Sequence, residues 1–168
     1  AFQLKKDFVR SIRDYDQAIK RKPGNENAYF SRGNTYFYEG DYDRAISDYS
    51  KAVQLRPDYI EAFCNRGIAF SEKGRYDHGL SDFAEALRIK PDYASAYTNR
   101  GIIYSRKGGQ ERAISEFNQA INIKANDAQI WANRGVAYSR KGDQEHAIAD
   151  HSHALKLNPY NTITLSFG

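Results

Sequence analysis

The chain has 168 residues, 40% hydrophobic and 27% charged, with a formal net charge of +4 and a sequence pI near 9.1. That balance excludes a disordered tail, and no apolar run of about 18 residues offers a membrane span. Cys64 stands alone, which excludes an internal disulfide and any multi-cysteine zinc site.

The first predicted element covers residues 7–23, "DFVRSIRDYDQAIKRKP", where Phe8, Ile12, Tyr15, Ala18 and Ile19 recur at helical spacing and Pro23 closes the run. The six residues before it read as the end of another helix. A second helix is expected over residues 27–39 and stops at Gly40. Asp41 caps a third over residues 42–55, and Arg56, preceding Pro57, is disfavoured from continuing it. From here the pattern repeats. Gly33, Gly67, Gly101 and Gly135 keep one 34-residue step, as do Gly40, Gly74, Gly108 and Gly142, and Ala52, Ala86, Ala120 and Ala154. Pro23, Pro57, Pro91 and Pro159 share a lattice on which Ala125 fills the vacant point. The units are expected at residues 26–59, 60–93, 94–127 and 128–161. Residues 1–25 read as a partial repeat and 162–168, "TITLSFG", as the start of a further repeat or a tail. With no Met and an opening Ala1, the chain reads as a piece of something longer.

A glycine inside a helix costs about 1 kcal/mol against alanine, so its return in every unit demands a reason. At roughly 100° per residue, Tyr29, Arg32, Gly33 and Tyr36 share one side of the first helix of a pair. Ala45, Ile46, Tyr49, Ala52 and Val53 share one side of the second. Large rings then face small residues, and the glycine removes a side chain where the two helices cross.

The spacing Tyr29, Gly33, Tyr36, Ala45, Tyr49, Ala52, Pro57 resembles the tetratricopeptide repeat (TPR) pattern W-x₂-L-G-x₂-Y…A-x₃-F…P. Phe63, Gly67, Phe70, Gly79, Phe83, Ala86 and Pro91 follow it again. So do Tyr97, Gly101, Tyr104, Ala113, Phe117 and Ala120, and then Trp131, Gly135, Tyr138, Ala147, Ala154 and Pro159. The resemblance spans nearly the whole chain. It implies an all-α fold, a single TPR-type α-solenoid in which antiparallel helix pairs wind as a right-handed superhelix. One departure recurs: the leucine before the glycine is Arg32, Arg66, Arg100 or Arg134. Acids keep the same period at Asp48, Asp82, Glu116 and Asp150. The expectation is an arginine stem on the helix edge with its head paired to that acid, in the same unit or the neighbouring one; a functional arginine ladder is the alternative.

Stacked TPR pairs leave the far side of each first helix to line a concave surface. That face carries Asn65, Asn99 and Asn133, one per unit, and Asn34 in the first. An amide donates and accepts at once, so it can hold a peptide backbone whatever its side chains. The row looks like the asparagine ladder in the TPR arrays of O-GlcNAc transferases, which hold extended peptide; the plainer alternative is a tolerated polar residue of this repeat type. The face begins aromatic at Phe30, Phe37 and Tyr38 and ends at Arg106 and Arg140. An acidic ligand near the last two would gain charge-assisted hydrogen bonds, although the preferred explanation of these basics is that they offset helix C-terminal carbonyls. The carboxylate clamp of chaperone-binding TPR domains is not matched, because Phe30, Ser95 and Asn99 stand where its Lys and Arg belong. Cys64 reads as a thiol in the groove.

No catalytic constellation, phosphate loop or cofactor motif is found. His146, Asp150 and His153 share one helical face but read as solvated rather than metal-binding. The expected function is a non-catalytic scaffold that binds a protein or peptide segment in its groove. Alternatives are a helical-repeat RNA-binding module, disfavoured by the strict 34-residue step and mild charge, and an accessory array of a larger enzyme. Neither end is a polar cap, so self-association through the ends is expected. With no signal peptide and one cysteine, a cytoplasmic setting is expected.

Overall fold

The structure is a computed structural model describing residues 2–159, with side chains from Asp7 onward. The expected start of a further repeat at 162–168 lies outside the described residues. Among the described residues there are nine α-helices and no strand, and no helix is long and apolar enough to cross a membrane. They fall into two compact units divided after Pro91. The first holds α1 (Phe2–Arg21), α2 (Glu26–Glu39), α3 (Tyr42–Leu55), α4 (Ile60–Glu72) and α5 (Tyr76–Ile89). The second holds α6 (Ala94–Arg106), α7 (Gln110–Ile123), α8 (Ala128–Lys141) and α9 (Gln144–Leu157).

Local chemistry sets the ends. Gly40 closes α2 at φ 84° and Gly142 closes α8 at φ 90°, a left-handed conformation open to glycine at little cost. Asp41 then accepts from the backbone N–H of Arg44 at 3.0 Å, capping α3 as its sequence position predicts. At the far end of the second helices, Arg56 and Lys90, each preceding a proline, leave the helical region at φ −131° and −134°. Lys124 does the same at φ −138° although Ala125 replaces the proline. There the indole N–H of Trp131 donates to the Ala125 carbonyl at 2.7 Å and holds the turn. One expectation fails: residues 2–6 are not the end of a separate helix, because α1 runs unbroken from Phe2. Lys6 occupies the lattice point of the stop glycines, so nothing there turns the chain.

Within the first unit each helix packs on the next in sequence, and α2 also touches α4; in the second unit α6, α7, α8 and α9 do likewise, with α6 touching α8. The crossing glycines explain the pairing. A Cβ on Gly33 would lie 2.8 Å from Tyr49 Cε1, and one on Gly101 would lie 2.6 Å from Phe117 Cε1, closer than real contacts allow. Tyr49, Phe83 and Phe117 are consequently almost fully enclosed, each ring contributing roughly 1.5–3 kcal/mol by burial.

The arginines settle the question of partner. Arg32, Arg66 and Arg134 each donate through Nε and Nη2 to both oxygens of the aspartate sixteen residues later, in the same pair, at 2.6–2.8 Å. The remaining nitrogen reaches sixteen residues back, to Asp16 at 2.6 Å, Ser50 at 3.0 Å and Asn118 at 2.6 Å respectively. Each guanidinium thus joins its own hairpin to the helix before it. Burial raises the Asp82 carboxyl above its ordinary value, opposed by the hydrogen bonds from Arg66. Removing one partner from such a pair costs about 3–5 kcal/mol. Arg100 is the exception. It meets Glu116 through Nη2 alone, leaving Arg100 Nε and Glu116 Oε2 buried without hydrogen bonds.

Candidate functional site

With one side of each first helix committed to its partner, the opposite side of α2 and α4, and that of α6 and α8, carries the residues expected to bind. In the first unit they enclose a pocket of about 140 Å³ lined by Asn34, Phe37, Tyr38, Tyr49, Asn65 and Ile68. The Asn34 side-chain oxygen is its polar centre. It accepts from Tyr49 Oη at 2.8 Å and from Asn65 Nδ2 at 2.8 Å. Burial pushes the Tyr49 phenol above its ordinary value, so it remains a donor. Tyr38 stands 75% exposed at the mouth, edge-on to Phe37 with ring centroids 6.0 Å apart. Phe30 packs its ring on Tyr59 at 4.8 Å and Tyr49 at 5.9 Å, beside the core rather than in the pocket lining.

In the second unit α6, α7 and α8 enclose a pocket of about 170 Å³ lined by Ile102, Ser105, Arg106, Phe117, Asn133, Val136 and Arg140. Arg140 Nη1 donates to Ser105 Oγ at 3.0 Å, and Ser105 Oγ donates to Gln110 Oε1 at 3.0 Å. Asn133 Oδ1 accepts from Gln129 Nε2 at 3.1 Å. Asn99 lines neither of these two pockets, and its amide N–H returns to the Ser95 carbonyl at 2.8 Å. Arg106 ends α6 and Arg140 lies in the last turn of α8, as the helix-end explanation requires. The same two residues also line the pocket.

Sequence reasoning assigned Tyr49 and Phe117 to the core alone, yet both also form pocket floors. The 34-residue lattice held the signal: two steps carry Tyr38 to Arg106, Tyr49 to Phe117, Asn65 to Asn133 and Ile68 to Val136. The expected groove thiol is a correction. Cys64 is 4% exposed, and burial pushes its pKa up to about 12, because α4 turns that position toward its neighbours. His146, Asp150 and His153 are expected on a solvated face, and for Asp150 this is a further correction, because it is only 4% exposed. Asp150 is engaged by Arg134, His153 lies on the Trp131 ring at 4.1 Å, and His146 stacks on Tyr138 at 5.0 Å. Among the described residues no group of three or more His, Cys, Asp or Glu side chains is placed to hold a metal ion.

Known proteins resemble the chain along its length. A family profile described as "TPR repeat" matches residues 33–74, 69–108 and 103–142, and profiles described as "Tetratricopeptide repeat" match 14–47 and 128–161. No curated protein matches. Among solved structures, MamA is 27% identical with a TM-score of 0.83, over 94% of this chain and 92% of that one. TTC0263, a thermophilic TPR protein of Thermus thermophilus, is 21% identical with a TM-score of 0.77, over 92% and 84%. YrrB, described as a TPR protein with an unusual peptide-binding site, is 21% identical with a TM-score of 0.74, over 93% and 80%. The last two show likeness of fold alone.

Proposed function

The chain belongs to the tetratricopeptide repeat family, and from that premise we propose that it is a non-catalytic scaffold that holds an extended peptide segment of a partner protein. A side chain of that segment enters the pocket beside α4, or its counterpart beside α8. One observation carries this reading: a pocket with an aromatic floor and an asparagine, Asn65 or Asn133, recurs at equivalent positions of the repeat. The amides meet the ligand backbone, which explains amides rather than charges beside an apolar floor. Asn99, which the sequence places in the same row, contributes less because it lines neither pocket.

Peptides selected by display against the folded chain test this. Asn65→Ala with Asn133→Ala is expected to weaken their binding by about tenfold or more, roughly 1.4 kcal/mol. Helicity stays unchanged and Asn99→Ala does less. Peptides whose affinity ignores the double substitution would refute the groove.

A second reading concerns association between copies. Ile114 and Ile121 are 8% exposed and cluster with Ile130 and Ala137 of the following helix. Their equivalents on α9, Ile148 and Leu155, are 65% and 53% exposed. We propose that a second copy of this chain covers that face. Sedimentation should then show mass rising with concentration, and Ile148→Glu with Leu155→Glu should abolish the rise. A strict monomer at high concentration would contradict it.

A further inference from the structure

The last helix repeats the stripe by which α3 and α7 meet the helix after them. At roughly 100° per residue, Ile148, Ser152 and Leu155 share one line along α9, and Glu145 and Lys156 flank it on one edge, at opposite ends. All five are exposed, Ile148 by 65% and Leu155 by 53%. Within each unit the lattice equivalents show what such a stripe takes. Asp43 and Glu111 hold the position of Glu145, and each pairs with a lysine at the end of the covering helix, Lys73 after α4 and Lys141 in α8, the latter at 3.8 Å. An apolar pair beside an acid is thus covered by a helix that brings a basic group to the acid. On α9 itself His146 is hydrogen-bonded to Asp143 at 2.8 Å and meets Glu145 as a more distant charge.

We propose that α9 is covered by α9 of a second copy, packed antiparallel about a two-fold axis beside Ser152. This rests on the second-copy reading above and adds which surface of the other copy is used. Antiparallel packing sets Ile148 of each copy against Leu155 of the other, with the small Ser152 at the crossing. It also brings Glu145 of each copy to Lys156 of the other along one edge, so two ion pairs form. Parallel packing would set like charges level with one another on opposite edges and pair neither. A two-fold contact uses the same patch on both chains, so the assembly closes at two copies. Helices of 14 residues meeting along one stripe fall at the low end of interface size, under about 1,200 Å² of buried surface. Association is therefore weak and sensitive to its charge pairs.

Sedimentation of the whole chain tests this, with circular dichroism to show that each variant stays helical. Wild type is expected to rise from 19.2 kDa and level off at twice that mass. Glu145→Lys and Lys156→Glu each set like charges together at both ends of the contact, and each alone is expected to weaken association about tenfold at low salt. An equimolar mixture of the two variants restores opposite charges at both ends and returns affinity to within about threefold of wild type. A variant harmed only in its own fold gains nothing from mixing. Mass climbing beyond two copies overturns the two-fold pairing. So does a mixture as weak as its parts; if Ile148→Glu with Leu155→Glu still abolishes association, the second-copy reading stands without the pairing. A wild type monomeric at every concentration overturns both, and a monomer that melts lower on Ile148→Glu gives the face to residues 160–168 of the chain itself.

Discussion

Adding one methyl group at equivalent glycines should have unequal, even opposite, effects. Gly101→Ala and Gly135→Ala both replace a mid-helix glycine, which gains about 1 kcal/mol of helix propensity. The new Cβ of Gly101→Ala would sit 2.6–2.9 Å from three atoms of the Phe117 ring. Phe117 is 0% exposed and lies between Ala113 and Ala120, themselves 0% exposed, so the ring has nowhere to go. Overpacking of this kind costs about 1–3 kcal/mol, and the net expectation is a loss of about 1 kcal/mol. At Gly135 the obstacle is His151, with ring atoms at 2.9–3.1 Å. That ring is only half-buried and can swing outward, so the propensity gain survives and the variant is neutral or stabilised by up to about 1 kcal/mol. Denaturant unfolding followed by circular dichroism reads both, with midpoints compared at equal slope. On a chain of this size the Gly101 variant should melt about 2–4 °C lower. If Gly101→Ala matches wild type, or Gly135→Ala loses as much as Gly101→Ala, the close-approach account of these glycines is wrong.

Glu116→Asp should restore to Arg100 the two-point contact made by the other three arginines, satisfying both buried orphan atoms; a rise of about 1 kcal/mol is expected in the same unfolding assay. Cys64 should resist thiol reagents at pH 8 in the folded chain and react on unfolding, because a thiol raised to about 12 by burial holds almost no thiolate; rapid labelling of the native chain would contradict its placement. His146 is held above its ordinary value by its hydrogen bond to Asp143, whose carboxyl is lowered in turn. The histidine's share of cap stability is complete below about pH 6.5 and is lost as pH rises through the raised value; the aspartate's share is lost as pH falls through its lowered one. An NMR titration should place His146 above the ordinary histidine value, and Asp143→Asn should bring it down; an unchanged midpoint would remove the pairing.

The 34-residue period, the stop glycines, the Asp41 cap and the residues before proline follow from backbone sterics and short-range hydrogen bonds. Those act within one or two turns, so sequence alone determined the helix pairs and the family. It also determined why Gly33 and its equivalents must be small, since helical spacing puts them against the rings of Tyr49, Phe83 and Phe117. Periodicity was blind wherever two answers share the same spacing. An arginine has an acid-bearing helix on either side of it in the chain, and only packing showed that Arg32 takes Asp48 and reaches Asp16 as well. Angular position placed Cys64 near the binding face, but whether a position at its border is covered depends on the neighbouring helix, and α4 buries it. The same holds for the pockets. Tyr49 and Phe117 belong to the core yet lie beneath a gap between two first helices, and that gap exists only after the hairpins have stacked.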